Sequence, residues 1–248
     1  MRRLLYIYII MCIALLTTSC QQEQSEPSGQ AVLELDLQLA GRPRLQTRAI
    51  ESDLAVAIYR NDGTPYINGD GVACQFAAGS VPAKIVLEPG TFRLVTYTEN
   101  QDSWKTDNEG RGSACYRKDT TFTIGQDETV YLSMQVPATN YAVSLQLPEL
   151  FNDLFKSYTF TLTSGSRTTT IKEGEKAFFD VADKGFTYAL SVTNNDNTPH
   201  SHSAIEYTEV ETGKCFTIHY NYDSDANSGG VVIIISDDMD TDDNNINL

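Results

Sequence analysis

The sequence is poor in the residues that build chemical sites. Its 248 residues include five cysteines, three histidines and one tryptophan. Common catalytic and phosphate-binding signatures are missing: there is no G-x-S-x-G, no H-E-x-x-H, no P-loop and no G-x-G-x-x-G. Acidic residues lie mainly in turns and in the tail, so no glycosidase carboxylate pair can be picked out. The sequence therefore predicts a protein that is not an enzyme and needs no cofactor.

Positive charge is also scarce, with 18 lysines and arginines against 33 aspartates and glutamates and a formal net charge of −15. Loss of Arg2 and Arg3 with an N-terminal signal would leave −17. An acidic surface repels nucleic acid and anionic lipid head groups. We therefore expect no nucleic-acid partner.

No apolar run reaches the roughly 20 residues that a membrane-spanning helix needs. The longest run, 4–16, follows two arginines and precedes small residues, which is the secretory pattern. Cys20 comes directly after Ser19 and resembles a lipobox cysteine. This predicts a signal peptide at 1–19 and lipid attachment at Cys20, whose acyl chains would hold the protein on a membrane. The alternative is an ordinary cleaved signal followed by a chance cysteine.

After the anchor, residues 20–30 contain only polar and small residues and predict a flexible tether. Glu23 and Glu26 make this tether acidic, a feature that accompanies export to the outer face in some Gram-negative lineages.

Three cysteines remain beyond the anchor, so at least one thiol is free or pairs between chains. Export permits a disulfide between Cys74 and Cys115. The alternative is that Cys74, Cys115 and Cys215 are small buried residues packed in strands. Their spacing fits no metal site.

Most of the chain alternates between apolar and polar residues, the pattern of half-buried β-strands. In 31–39, four leucines fall on one face and polar residues on the other. Similar runs follow, separated by Asp-Gly, Pro-Gly and related turn signals. Short strands with regular turns predict sandwiches. One short helix is predicted at 148–157, where apolar residues form a stripe after Pro148.

A faint internal repeat divides the chain. Residues 85–95 predict strand, turn and strand, and residues 178–192 repeat this order; each half then reaches a Phe-Thr-Ile strand. The predicted fold is therefore all-β: two tandem sandwiches of immunoglobulin- or transthyretin-like type with one short helix. We place them at 31–136 and 137–236, followed by a disordered acidic tail at 237–248.

No metal site is predicted. The D-x-D-x-D spacing at 238–242 fits a calcium loop, but Asp243 stands where that loop needs glycine. The acidic loop at 223–230 is typical of a hairpin turn. His200 and His202 lack a nearby third ligand.

Trp104 is the candidate ligand-facing residue. It lies in a polar loop, 99–112, that Tyr97 and Tyr116 flank. An exposed aromatic residue on a long loop can stack on sugar or protein. The alternative is a lid residue folded over the end of the sandwich.

Several short motifs occur in a fixed order. Cys20 and the tether precede an opening strand, which Thr47-Arg48-Ala49 follows; a Pro-Gly turn precedes a Phe-x-Leu-x strand in the first half, and Leu-Phe-x-x-Leu-Phe occupies 150–155 in the second. This layout, over about residues 16–236, resembles a family of two-domain lipoproteins of unknown function. That family is related in architecture to fimbrillins, the subunits of lipoprotein-derived pili.

The resemblance implies a maturation step. In fimbrillins a trypsin-like protease cuts after an arginine at this location, which here would be Arg48, with Ala49 as the new N-terminus. The cut would release the strand at 31–39, and the vacated groove would accept a strand from the next subunit. Val231–Ser236 is the candidate donor strand, and it also fits an ordinary closing strand.

Together these features predict a lipid-anchored outer-membrane protein at the cell surface that binds a protein or glycan through an adhesion module. The first alternative is a self-associating pilus subunit matured at Arg48. The second is an accessory protein that binds glycan through Trp104.

Overall fold

The computed structural model describes residues 29–41, 51–223, 228–236 and 239. Sixteen strands are described in these ranges. They are β1 Ala31–Leu39, β2 Leu54–Arg60, β3 Gln75–Phe76, β4 Lys84–Leu87, β5 Gly90–Thr98, β6 Arg117–Ile124, β7 Thr129–Val136, β8 Tyr141–Gln146, β9 Phe155–Ser164, β10 Arg167–Ile171, β11 Lys176–Phe179, β12 Phe186–Asn194, β13 Pro199–Ser201, β14 Ile205–Tyr207, β15 Cys215–Asp223 and β16 Ser228–Ser236. The helices are α1 Phe151–Leu154 and three 3-10 turns, Glu99–Asp102, Asn108–Gly110 and Val181–Asp183.

The first half of the chain forms two sheets. One has the order β4-β1-β7, in which β1 pairs antiparallel with β4 and parallel with β7. The other has the order β3-β2-β5-β6 and is antiparallel throughout. The predicted bounds of β1 are matched residue for residue, because its leucines alternate strictly and bury one face.

The second half repeats this plan. Its first strand, β8, pairs antiparallel with β11 and parallel with β15, as β1 does with β4 and β7. Its other sheet has the order β10-β9-β12-β13, with β14 also on β12. At the edge of this sheet β16 pairs antiparallel with β15, and among the described strands of the first half none pairs with β7 in the same way. The all-β, sandwich-like fold class is therefore confirmed, while the predicted domain bounds stay a prediction.

Each half buries its own apolar cluster between its two sheets. The first cluster contains the β1 leucines with Ile58, Phe92 and Phe122, and the second contains Tyr141, Phe160 and other aromatic residues. Each fully buried leucine or phenylalanine contributes about 1.5–3 kcal/mol by leaving water. Met239 also packs into the first cluster. This burial is favourable because an apolar side chain gains free energy by leaving water. The predicted disordered acidic tail at 237–248, most of which lies outside the described residues, stays a prediction.

The predicted helix at 148–157 is wrong in length. The structure forms only α1, and β9 begins at Phe155. Within the predicted stripe Phe151 is buried, whereas Leu150 and Leu154 are exposed. A segment that begins a ten-residue strand gains more from pairing with β12 than from a further helical turn. No helix within the described residues is long and apolar enough to cross a membrane.

Candidate functional site

The outer face of the β3-β2-β5-β6 sheet presents an unusual group of side chains. Strand alternation sends every second residue away from the core. The register places Tyr59 beside Arg93 and Tyr97 beside Arg117, while Asp119 lies beside Val95. We call Tyr59, Arg93, Tyr97, Arg117 and Asp119 the tyrosine–arginine face.

These five side chains form one connected network. Asp119 accepts a hydrogen bond from Arg93 (Nη2 to Oδ2, 2.9 Å), and its Oδ1 lies 3.7 Å from Nη2 of Arg117. Each guanidinium also approaches a tyrosine: the Arg93 carbon Cζ is 5.7 Å from the Tyr59 ring centroid, and that of Arg117 is 6.0 Å from the Tyr97 centroid. Both distances are typical of cation–π contacts.

The network stands over a floor of small buried residues. Ala55, Ala57 and Val95 are almost inaccessible to water, yet none belongs to either core cluster. Their parity along β2 and β5 places them on the outer face, on the same side of the sheet as Tyr59, Arg93 and Tyr97. The two arginine side chains remain exposed, at 45% and 41%. The face therefore has buried apolar residues at its base and charged groups exposed at its surface.

The charge of this face opposes that of the chain. Two guanidiniums and one carboxylate leave one positive charge on a protein whose net charge is −15. Each guanidinium carries five N–H donors. Among the described residues, one N–H group of Arg93 donates to Asp119, and Arg117 lies beyond hydrogen-bond distance of the same carboxylate. Exposed ion pairs contribute only about 0–1 kcal/mol to stability. The remaining donors can therefore serve a ligand.

The corresponding face of the second half has different chemistry. On the β10-β9-β12-β13 sheet the outward positions are mostly hydroxyl residues, and several pair across strands: the Oγ1 atoms of Thr163 and Thr168 are 2.9 Å apart, and Ser201 donates to Ser191 over 3.0 Å. This hydroxyl face offers no guanidinium and is an internal reference for the tyrosine–arginine face.

Trp104 does not face solvent as a ligand platform. It is 9% exposed and belongs to the first core cluster, so the lid interpretation describes it and the ligand-facing one is wrong. Its ring is covered by cations, with Arg167 Cζ at 5.4 Å and Lys105 Nζ at 5.3 Å from the ring centroid. The indole thus completes a contact inside the molecule.

Arg167 joins the two halves at this point. It donates to the carbonyl of Gly110 over 2.7 Å and to that of Phe178 over 2.5 Å, and its guanidinium also lies 5.2 Å from the Phe179 ring. The Phe178 amide donates to Arg111 O over 2.8 Å. The 99–112 loop of the first half is therefore held on β10 and β11 of the second. Burial lowers the pKa of Arg167.

Cys74, Cys115 and Cys215 are all buried, and no disulfide joins Cys74 to Cys115. The alternative interpretation, small residues packed in the interior, describes all three. Cys115 lies in a polar junction, where its Sγ is 3.4 Å from Asn100 Oδ1 and its amide donates to Asn140. Burial raises the pKa of its thiol to about 12, which leaves it protonated and unreactive at neutral pH.

The remaining predicted sites are not brought together. Cys20, Arg48, Ala49 and most of the acidic tail lie outside the described residues. His200 and His202 are exposed, and His200 contacts Asn194. Within the described ranges, no group of three His, Cys, Asp or Glu side chains could hold a metal ion.

Sequence reasoning missed the tyrosine–arginine face. A signal was present in the outward positions of β5 and β6, where tyrosine, arginine and aspartate replace the usual threonine. It was not decisive, because the pairing of Tyr59 with Arg93 depends on a register that the sequence does not reveal.

The fold and this face define an all-β protein of two sandwich-like halves with an exposed polar-aromatic sheet surface. The chain belongs to the family described as "Domain of unknown function (DUF4493)", which matches residues 38–248. The predicted membership of a family of unknown function is thereby confirmed. No curated protein matches the chain.

Several solved structures are similar to the chain. A protein from Bacteroides ovatus, provisionally described as a cell adhesion protein, is 10% identical, with a TM-score of 0.47 over 85% of this chain and 98% of that one. A protein from Bacteroides eggerthii with the same description is 12% identical, with a TM-score of 0.47 over 85% and 97%. The tip fimbrial protein Mfa3 from Porphyromonas gingivalis is 7% identical, with a TM-score of 0.42 over 85% and 99%.

Proposed function

We propose that the protein is a non-enzymatic lipoprotein, anchored to the outer membrane through Cys20 and exposed at the cell surface, where it acts as a binding or adhesion module. The observation that carries the binding role is the tyrosine–arginine face. Tyrosine and arginine dominate the residues on which protein binding energy depends. Their exposed guanidiniums stabilise the fold little, which leaves a contact with a partner as the role that fits their chemistry.

The position of β1 supports such an arrangement. Because β1 runs parallel to β7, its start lies beside Thr129 and its end beside Val136, next to the second half. An anchor before Ala31 would therefore attach at the end of the first half that is remote from the second. Both the tyrosine–arginine face and the second half would then extend away from the membrane.

The anchoring part is tested by the mass of the N-terminal peptide of the protein from its native cells, together with protease shaving of intact cells. An acylated Cys20 and removal by external protease are the expected results. A free Gln21 or other unmodified N-terminus would overturn the anchor, and full protection from protease would overturn surface exposure.

The binding part is tested with beads that carry the full chain, washed over immobilised glycans and extracellular-matrix proteins. We expect retention on at least one surface, and loss of that retention in the double variant Arg93→Gln/Arg117→Gln. Arg60→Gln is the matched control, because Arg60 lies at the end of the same sheet and pairs with Glu88 instead. Retention that the double variant leaves unchanged would overturn the assignment of this face.

A second candidate function is a pilus subunit matured after Arg48. It is favoured by the central place of β1, which pairs on both sides, so its removal would open a groove between β4 and β7. Strand addition could fill such a groove. Polymer formation after treatment with a trypsin-like protease, with Ala49 as the new N-terminus, is expected. Monomers with that N-terminus would contradict it.

A further inference from the structure

We propose that the tyrosine–arginine face binds an acidic polysaccharide, a glycan chain that carries carboxylates. This inference rests on the proposed function, since it names the ligand class of the same surface. It is based on three observations. Most N–H donors of the two guanidiniums remain available to a ligand, the backbone of β5 beneath them is paired on both sides, and hydroxyl and phenol groups lie beside them.

The charge pattern selects an anionic ligand. Two guanidiniums converge on the single carboxylate of Asp119, with closest approaches of 2.9 and 3.7 Å. A carboxylate that approaches from solvent would meet N–H donors on both sides, and arginine binds carboxylates with two parallel hydrogen bonds. The chain is strongly acidic overall, and this local excess of positive charge reduces the repulsion that an anionic ligand meets here.

The backbone makes a peptide strand an unsuitable occupant. An added strand binds to the free N–H and C=O groups of a sheet edge. Here β5 lies between β2 and β6 and pairs with both along its length. The main chain of β5 beneath the face is therefore paired on both sides, so a ligand that lies across β5 is recognised by side chains; β6, at the edge of the sheet, pairs with β5 on one side.

The other groups on the face suit a sugar. The Oγ1 atoms of Thr91 and Thr123 lie 2.9 Å apart on the same side of the sheet, and Tyr59 and Tyr97 add phenol groups. Hydroxyls and phenols exchange hydrogen bonds with sugar hydroxyls. Carboxylates and hydroxyls together are the chemistry of a uronic-acid polymer.

The test uses the full-length chain in detergent and two probes, polygalacturonate and neutral dextran, in a direct binding assay. We expect binding of polygalacturonate, weaker binding at higher salt, and none of dextran. Arg93→Gln and Arg117→Gln should each lower affinity about tenfold, since each removes a charged donor. Arg60→Gln should change it less than about twofold, because exposed charges away from the contact contribute little.

Asp119→Asn separates recognition from structure. Loss of its charge removes a carboxylate that competes with the ligand, so affinity should rise about threefold. If Asp119 only held the arginines in place, the same variant would lose affinity as the arginine variants do, and that result would overturn the proposal. Unchanged Trp104 fluorescence would show that the variants remain folded.

The two levels of inference fail in different ways. If polygalacturonate does not bind while bead retention still depends on Arg93 and Arg117, the acidic polysaccharide is the wrong ligand and the binding face stands. If bead retention is also unchanged in the Arg93→Gln/Arg117→Gln variant, both proposals are overturned.

Discussion

The two halves of the molecule share a strand order but differ in the chemistry of one exposed sheet face. In both, the first strand lies between an antiparallel and a parallel partner. In both, the opposite sheet turns one face to solvent. The first half carries tyrosines, arginines and an aspartate there, whereas the second half carries threonines and serines.

This difference separates what the fold requires from what it permits. Inward positions are apolar in both halves, because a sandwich needs two buried faces. Outward positions are free to vary once they are polar enough to meet water. A function added to such a fold is therefore expected on an outward face, and of the two outer faces compared, the tyrosine–arginine face is the one whose described residues include guanidiniums.

The edges of the halves also differ. In the second half β15 has a partner on each side, β8 and β16. In the first half, among the strands that the structure describes, β7 pairs with β1 alone. The second half therefore has an additional strand, β16, beyond β15. In the first half no described strand lies beyond β7.

The largest expected effects come from matched truncations in the two corresponding first strands. Leu37 in β1 and Leu145 in β8 are both buried. Leu37→Ala and Leu145→Ala should each lower the free energy of unfolding by about 2–5 kcal/mol, because a cavity replaces buried methyl groups. Urea denaturation followed by circular dichroism measures the loss. Val86→Ala, at an exposed position of β4, is the control.

The two first strands would not be equivalent if only one of the two truncations lowered the free energy of unfolding substantially. A loss below about 1 kcal/mol for Leu37→Ala would mean that β1 contributes little to its sheet, unlike β8. That outcome would favour a strand that can be released.

The junction gives the next largest effect. Arg167→Gln removes hydrogen bonds to Gly110 and Phe178 and the cation beside Trp104. We expect a loss of about 1–3 kcal/mol, because two partly buried carbonyls lose their charged donor. Trp104 is the only tryptophan, so its fluorescence reports this site directly, and its emission should shift to longer wavelength. Emission identical to wild type would show that the 99–112 loop is held without Arg167.

The strands could largely be predicted from the sequence, because alternation is a local property. Ala31–Leu39 shows this well, since four leucines at every second position leave one choice of face. The partners of each strand could not be predicted in the same way. The Pro-Gly turn before β5 predicts strand, turn and strand, yet β4 pairs with β1 and β5 with β2 and β6, so the turn carries the chain from one sheet to the other. Turn residues specify a reversal, and long-range packing decides which sheet receives the next strand.

The candidate site, like the strand pairing, depends on long-range contacts that the sequence does not reveal. Trp104 stood out by its rarity, but its contact with Arg167 depends on two segments 63 residues apart in sequence that only the folded chain brings together. The tyrosine–arginine face consists of ordinary residues whose chemistry arises from register. Sequence reasoning finds unusual residues more readily than usual residues in an unusual arrangement.

Alkaline pH should lower the folding stability through Cys115 of the first half and Tyr141 of the second half in different pH ranges. Burial raises the pKa of Cys115 and of Tyr141 to about 12 each. In the unfolded chain these groups lose their protons near about pH 8.5 and 10. Above those values the unfolded state releases a proton that the folded state keeps, so stability falls as pH rises toward 12.

The measurement is urea denaturation between pH 8 and 11 under reducing conditions. Cys115→Ala should flatten the decline from about pH 8.5, whereas Tyr141→Phe should flatten it only above about pH 10. Tyr141→Phe also loses hydrogen bonds to Ser164 and Gly185, so its stability should be lower at every pH. An equal slope of stability against pH between about pH 8.5 and 10 in the two variants would contradict the assignment.

The smallest effects compare the two outer faces directly. A double-mutant cycle on Arg93 and Asp119, by substitution to Gln and Asn, should give a coupling of about 0.2–1 kcal/mol that falls with salt, because both side chains are exposed charges. A cycle on Thr163 and Thr168, each changed to Val, should give a coupling of similar size that salt leaves unchanged, since a hydroxyl pair carries no net charge. Equal salt dependence in the two cycles would mean that Arg93 and Asp119 do not pair in solution.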